Sequence, residues 1–514
     1  MCCHGMNRRE FLGVTAVMTA GAALGVQGIA GAESEWSQGL WDPERPFLKM
    51  GKPLRVQPVL MYHVSKPREM ASWKSWGGVQ TDAAAVEEAN RIAGELKGLA
   101  ARADFALDIL PVARVTSTEE AAQIHAANAD KGLQPLVSDV VIVYPATGSG
   151  DLLKACVPER GAMVFVRRQS GPVYYWYEAL SERYLKTDKD GANSDKRVSV
   201  HDVVVDDLDE LLWRLRALFG VRNFLGSRVV AIGGPQGKYA ADAPAVARER
   251  FKLDMVDASY DDLGKRIAGT LADAKKMACA ERWADRYLAM PNTALETDRR
   301  FVVNAFALYG IFKEVMKEAG TDVLTINQCM STILPMSKTT ACLTLSLLND
   351  EGCAAFCESD FVVVPAGILL RYISGKSVFM HNSTFPNAGM VTCAHCTSPR
   401  RMDGVRYEPC RLLTHYESEY GAAPKVEIPK GQEVTFIDPE YTTGRWVGIK
   451  GAVEGNPSYE ICRSQQDVRI HGNWKKLLNE VRDSHWMMVY GDYLNEIGYA
   501  APRIGVTWDN ISEA

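Results

Sequence analysis

Cys342-Leu-Thr-Leu-Ser-Leu-Leu-Asn-Asp-Glu-Gly-Cys-Ala-Ala-Phe-Cys-Glu-Ser-Asp360 is an apolar run with small residues that ends in two carboxylates, Glu358 and Asp360. It reads as delivering both acids onto a strand end, where residues two apart share a face. Both carboxyl groups then point at one metal ion or polyol, in surroundings apolar enough to perturb their protonation. The plainer reading is a solvated strand exit.

Working outward, residues 298–319 carry a long helical pattern and 322–327 a buried strand. Nearer the N-terminus the strands 54–61, 105–112, 139–144 and 163–166 alternate with helical patterns over 86–102 and 117–128. Such alternation indicates an α/β fold with Rossmann-like, doubly wound parallel sheets. A helix over 206–219 leads to Ser227-Arg-Val-Val-Ala-Ile-Gly-Gly-Pro-Gln-Gly237. That strand ends in a turn lacking both the Gly-x-Gly-x-x-Gly spacing of a dinucleotide site and the Gly-Lys-Ser/Thr of a P-loop, so it reads as a plain strand-to-loop turn. From about Ser374 Gly, Pro and Thr become frequent, with short strands at 425–428, 433–437, 444–449 and 487–490 and a closing helix at 493–497. This predicts an N-terminal α/β domain over 46–175, a central α/β domain over 176–350 and a β-rich C-terminal domain over 351–514, with a polar loop at 186–196 near a domain crossing.

A chain of 514 residues exceeds one core, and length alone suggests roughly three domains. Its 47% hydrophobic and 24% charged content is that of an ordinary globular protein. A net charge of -5 with scattered Lys and Arg gives no polybasic footprint and argues against nucleic acid as a partner. Asn7-Arg8-Arg9-Glu10-Phe11-Leu12 precedes a weakly apolar Ala/Gly-rich run and Ala30-Gly31-Ala32. Residues 1–32 therefore read as a twin-arginine (Tat-type) signal, with an uncleaved anchor as the alternative. The expectations are a periplasmic or extracellular protein, the Tat export machinery as a partner and no membrane span in the mature form.

Twelve cysteines, two of them at Cys2 and Cys3, leave ten in the mature chain, expected mostly as buried thiols. Cys393-Ala-His395-Cys396, with Cys410 downstream, offers soft ligands at short spacing and stands as a possible zinc or redox site.

The helix at 304–319, the strand at 321–328, Leu348-Asn-Asp-Glu-Gly352, Cys357-Glu-Ser-Asp360 and Ser484-His-Trp-Met-Met-Val-Tyr-Gly-Asp492 occur in a family's order. In these segments the chain resembles the L-fucose isomerase and L-arabinose isomerase superfamily; the N-terminal half agrees in architecture only. The resemblance implies metal-dependent aldose–ketose isomerisation of a monosaccharide or polyol through an enediol. A divalent cation, manganese for a mixed oxygen and imidazole set, would hold the enediol oxygens. It implies Glu358 and Asp360 as catalytic carboxylates, both of them metal ligands together with His485, and a homo-oligomer, since sites in this family lie close to subunit contacts.

His381, His395, Arg400, His415 and Trp486 are polar or aromatic residues suited to lining a sugar pocket, or are simply loop polarity. One departure stands out. Where the family carries its first acidic ligand, this chain has Thr332, within Cys329-Met-Ser-Thr-Ile-Leu-Pro335. A hydroxyl neither replaces a carboxylate as base nor brings charge to an ion. A carbohydrate-binding protein that kept the fold and lost the reaction is therefore the rival reading.

Overall fold

The computed structural model describes residues 36, 40–129, 138–168, 173–185, 197–440, 444–480 and 484–513. The signal expected over 1–32 and the polar loop at 186–196 lie outside the described residues.

The first parallel sheet is built from β1 (Leu54–Met61), β2 (Leu107–Ile109), β3 (Ala113–Val115), β4 (Val140–Pro145), β5 (Ala162–Val166) and β6 (Val203–Val205). Its order is β2-β1-β4-β5-β6, with β3 also paired to β1. Every residue of β4 and β5 is buried, as expected of parallel strands covered on both faces. Helix α1 (Asp82–Arg102) starts where the Thr81 hydroxyl accepts the Ala84 N–H, and it buries Ala85, Ile92, Leu96 and Leu99 on one face. The single strand expected over 105–112 is two short ones, because Pro111 between them has no N–H to give a ladder.

After helix α2 (Leu208–Phe224), a second parallel sheet collects β7 (Arg228–Ile232) and β8 (Asp254–Ala258). Strand β9 (Thr293–Leu295) joins a different sheet, and helix α3 (Arg299–Ala319) follows it. Asp298 caps α3 by accepting the Arg300 N–H, and Gly320 ends it in the left-handed conformation. Next come β10 (Val323–Ile326), helix α4 (Cys342–Asp350), β11 (Ala354–Cys357) and helix α5 (Val364–Ser374). The sheet order is β11-β10-β7-β8, all parallel.

The opening run is thus mostly helix, with only Ala354–Cys357 extended. All nine residues of α4 are buried, so the helix has no polar face to show its period in the sequence. Glu358 and Asp360 lie past the strand end, in a turn where Glu358 and Ser359 have φ of +67° and +49°. The shared-face argument for the two acids fails, yet the turn still gathers them.

The remaining strands are β12 (Phe379–Ser383), β13 (Met390–His395), β14 (Cys410–Leu413), β15 (Ala423–Val426), β16 (Glu433–Pro439), β17 (Arg445–Gly455), β18 (Ser464–His471), β19 (Trp486–Tyr490) and β20 (Thr507–Asn510), with helix α6 (Leu494–Ala500) before the last. The order β16-β19-β12-β13-β18-β17 closes through antiparallel β16–β17 pairing into a barrel, and β20 lies parallel on β17. Closure removes sheet edges, and Phe379, Val391, Cys393, Phe436, Trp486 and Met488 fill the core. Strands β15, β14 and β9 form a small sheet beside it.

The protein is therefore mixed α/β, with two Rossmann-like parallel sheets and a C-terminal antiparallel barrel. Strand β11 lies beyond residue 350 but belongs to the second parallel sheet. Residues 42–514 cluster as a single unit. No described helix is long and apolar enough to cross a membrane.

Candidate metal centre

Parallel strands present ligands at their carboxyl ends, where loops converge. Here the loops after β7 and β11 meet the end of β13 and the start of β19. The β11 loop supplies Glu358 and Asp360, and the loop after β7 supplies Gln236 and Lys238. The two loops are joined by a short parallel bridge: the Gln236 N–H donates to Ser359 O at 3.1 Å and the Phe361 N–H to Gln236 O at 2.8 Å. The Gln236 side chain adds a bond to Glu358 O at 2.6 Å. These bonds hold the two left-handed residues, which an L side chain adopts only at a cost of about 1–2 kcal/mol each.

Glu358, His395 and His485 each offer a ligand atom, and these atoms lie within 4.8 Å of one another. Among the described residues no other group of three or more His, Cys, Asp or Glu side chains closes in this way. His485 Nε2 is 3.7 Å from Glu358 Oε1, and the two imidazole rings are 5.8 Å apart at 60°. His395 Nδ1 is 3.1 Å from Thr397 Oγ1, so its Nε2 edge is the one left for a ligand.

Asp360 stands behind this group. Its Oδ1 accepts the backbone N–H of Lys238 at 3.1 Å and of Val362 at 3.3 Å, and its Oδ2 lies 3.3 Å from His485 Nδ1. A carboxylate on one ring nitrogen fixes the tautomer and turns the other nitrogen outward, the usual support for a metal-binding imidazole. That outward atom, His485 Nε2, is buried and has no hydrogen-bond partner. An orphaned nitrogen facing a carboxylate and a second imidazole fits a cation.

Burial works against ionisation of Glu358, but the neighbouring His485, with His395 and Lys238, holds its carboxyl well below the usual range. Lys238 Nζ pairs with Glu358 Oε2 at 2.9 Å. Burial opposes charge on His485 as well, yet its contact with Asp360 and the nearby charge of Glu358 push its affinity for a proton up. Burial and the neighbouring His485 push His395 down to about 3, so it stands neutral and ready to ligate. Two imidazoles and one carboxylate suit a divalent first-row ion and leave coordination positions open.

Of the residues expected to bind metal, Glu358 and His485 meet in the group that could hold an ion, while Asp360 stands behind His485. His395, expected in the sugar pocket, joins that group. His381 and Trp486 face each other across β12 and β19 inside the barrel, where the His381 ring packs on Phe379, Phe436 and Trp486. Both are 0% exposed. Arg400 is equally buried and binds Glu408 O at 2.9 Å, Thr293 Oγ1 at 3.0 Å and Pro291 O at 3.4 Å, stacked on Tyr287. It braces loops. His415, mostly buried, sits in a tight turn and is near enough for its charge to act on His395.

Thr332 lies in a π-helical turn, Cys329–Ile333, that follows β10. No acid of the Asn-Asp-Glu turn takes its place. Asp350 accepts the backbone N–H groups of Arg400 and Arg401 at 2.7 and 2.8 Å, and Glu351 is engaged by Tyr309 and Lys313.

The zinc grouping of Cys393, His395, Cys396 and Cys410 does not assemble. Cys393 and His395 lie two apart on β13 and share a face, Cys396 follows on the other, and Cys410 begins β14 in another sheet. The ten described cysteines are free thiols, eight of them buried.

The sequence reading missed Gln236 and Lys238. Their signal was available, since the Gly-Gly-Pro turn closes a buried parallel strand on the face where ligands gather.

No family model and no curated protein matches the chain. Among solved structures, a two-component system response regulator/GGDEF domain protein aligns over 62% of this chain and 96% of its own, at 13% identity and a TM-score of 0.19. A likeness that slight bears on neither fold nor activity.

Proposed function

We propose that this chain is an exported, metal-dependent aldose–ketose isomerase-like protein related to the L-fucose and L-arabinose isomerases, acting on a monosaccharide or polyol. The observation that carries the reading is the convergence of Glu358, His395 and His485, backed by Asp360, at the mouth of a parallel sheet and a barrel. Glu358 and His485 lie in two of the segments that resemble the family.

Glu358, His395 and His485 would hold the ion, manganese by resemblance. Bound there, a divalent cation supplies Lewis-acid stabilisation of the negative charge that develops on adjacent sugar oxygens. Asp360 keeps His485 in the ligating tautomer. Lys238 stays protonated through its bond to Glu358, against the cost of burial, and adds a positive charge beside the carboxylate. Proton transfer between carbons needs a general base. With Thr332 at the family's first acidic position, Glu358 is the carboxylate nearest to that task.

Thr332 favours a second reading, a carbohydrate-binding protein that retains the metal centre without turnover. Elemental analysis of protein purified from cells, with ketose formation assayed over a panel of aldoses, separates the two. A stoichiometric divalent ion with ketose product supports the isomerase. An ion with sugar binding but no product supports the binder, and wild-type protein that retains no divalent ion overturns both.

A further inference from the structure

A second cluster lies close to the metal centre and is unused by it. The Cys342 and Cys396 side chains pack together with Ala423, and Cys462 packs against them. Cys342 and Cys396 are 5% and 2% exposed, and Cys462 remains partly open to solvent. The fold gives reasons for this meeting. His395 pairs with Ser464 in the β13–β18 ladder, so the next position brings Cys396 opposite Arg463, whose N–H donates to Cys396 Sγ at 3.4 Å. Cys462 is the neighbouring residue. Cys342 is the first residue of α4.

Cys396 lies between the other two in the fold, packed with Cys342 and opposite Arg463, the residue that follows Cys462. Unlike Glu358, His395 and His485, the three sulfurs do not all close within 4.8 Å of one another, so they suit pairwise bonding better than one shared ion.

We propose that Cys342, Cys396 and Cys462 form a thiol–disulfide exchange site that reacts with small external disulfides of the glutathione disulfide class. In the first step the Cys462 thiolate attacks one sulfur of the external disulfide. The S–S bond breaks, one small thiol leaves with the proton lost by Cys462, and a mixed disulfide forms. Cys396 then attacks the Cys462 sulfur and expels the second small thiol, again with transfer of one proton. Two protein thiols are oxidised and one external disulfide is reduced to two thiols. Cys342 can next attack the Cys396 sulfur, which moves the bond inward and returns Cys462 to its thiol form. The exposed sulfur receives the oxidant and the shared sulfur passes it on.

The test uses the full-length protein, reduced and then incubated with excess oxidised glutathione. Free thiols are alkylated under denaturing conditions, and cross-linked peptides are mapped by non-reducing mass spectrometry. The expected result is a loss of two thiols per chain, with Cys396 joined to Cys462 and, in a second population, to Cys342. C462S should slow oxidation at least tenfold, and C396S should leave Cys342 alkylated and trap Cys462 as its mixed disulfide with glutathione. Three fully alkylated cysteines in the treated wild type overturn the proposal. So does a Cys342–Cys462 cross-link in C396S, or a zinc ion that protects all three thiols. The wild-type map stands alone if C396S fails to fold.

Discussion

Asp360 Oδ2 lies 3.3 Å from Nδ1 of His485, and both side chains are fully buried. The pairing requires the ring proton on Nδ1 and leaves Nε2 as an acceptor. In Asp360→Asn the amide oxygen can keep the backbone bonds now made by Oδ1, which turns the amide NH2 toward the ring and forces the opposite tautomer. Metal affinity should fall about 10- to 100-fold in chelator competition, with circular dichroism unchanged. Wild-type affinity would place the ion elsewhere.

Ser359 combines φ of +49° with a buried hydroxyl that lacks a hydrogen-bond partner. Ser359→Gly removes both penalties and should raise the unfolding free energy by about 1 kcal/mol, after the backbone entropy lost by glycine. Ser359→Val puts a branched side chain in the left-handed region and should lower it by about 2 kcal/mol. Urea denaturation of the pair checks both signs.

Arg400 separates a sugar-pocket role from a structural one. Its guanidinium serves Glu408 O, Thr293 Oγ1 and Pro291 O from a fully buried position. Arg400→Met strands these acceptors and should cost about 3 kcal/mol of stability. A variant of unchanged stability that loses only saccharide binding would return Arg400 to the pocket.

Glu496 gives a pH signature. Burial pushes its carboxyl up to about 7, against the pull of its own backbone N–H and of Arg216, with Asp492 and Asp104 adding to the rise. The folded chain thus holds this proton more tightly than the unfolded one. The resulting stability is complete below the ordinary glutamate value and is lost as pH rises through about 7. Glu496→Gln, which resembles the protonated form, should match wild type near pH 4.5 and exceed it at pH 8 by about 2 kcal/mol. Equal stability at both pH values would show that the carboxyl titrates normally.

The alternation of strands and helices was legible wherever burial on two faces makes an unbroken apolar run, as in β1 and β4. It failed at α4, whose complete burial erases the period that marks a helix. Glu358, His395 and His485 were each visible as chemistry. The family resemblance grouped Glu358 with His485 but left His395 outside, because these residues stand at the ends of β11, β13 and β19, and only the closure of the barrel decides which strand ends face the sheet. Asp360 shows the limit most clearly, since nothing local tells a carboxylate that grips an ion from one that steadies its neighbour.

The parts of the cation pocket are scattered along the chain, from Lys238 through Glu358 and His395 to His485. A nascent chain still lacking β19 has no means of closing that pocket. An ion could therefore be gripped by all three side chains only late in biogenesis, once both the second parallel sheet and the barrel have formed.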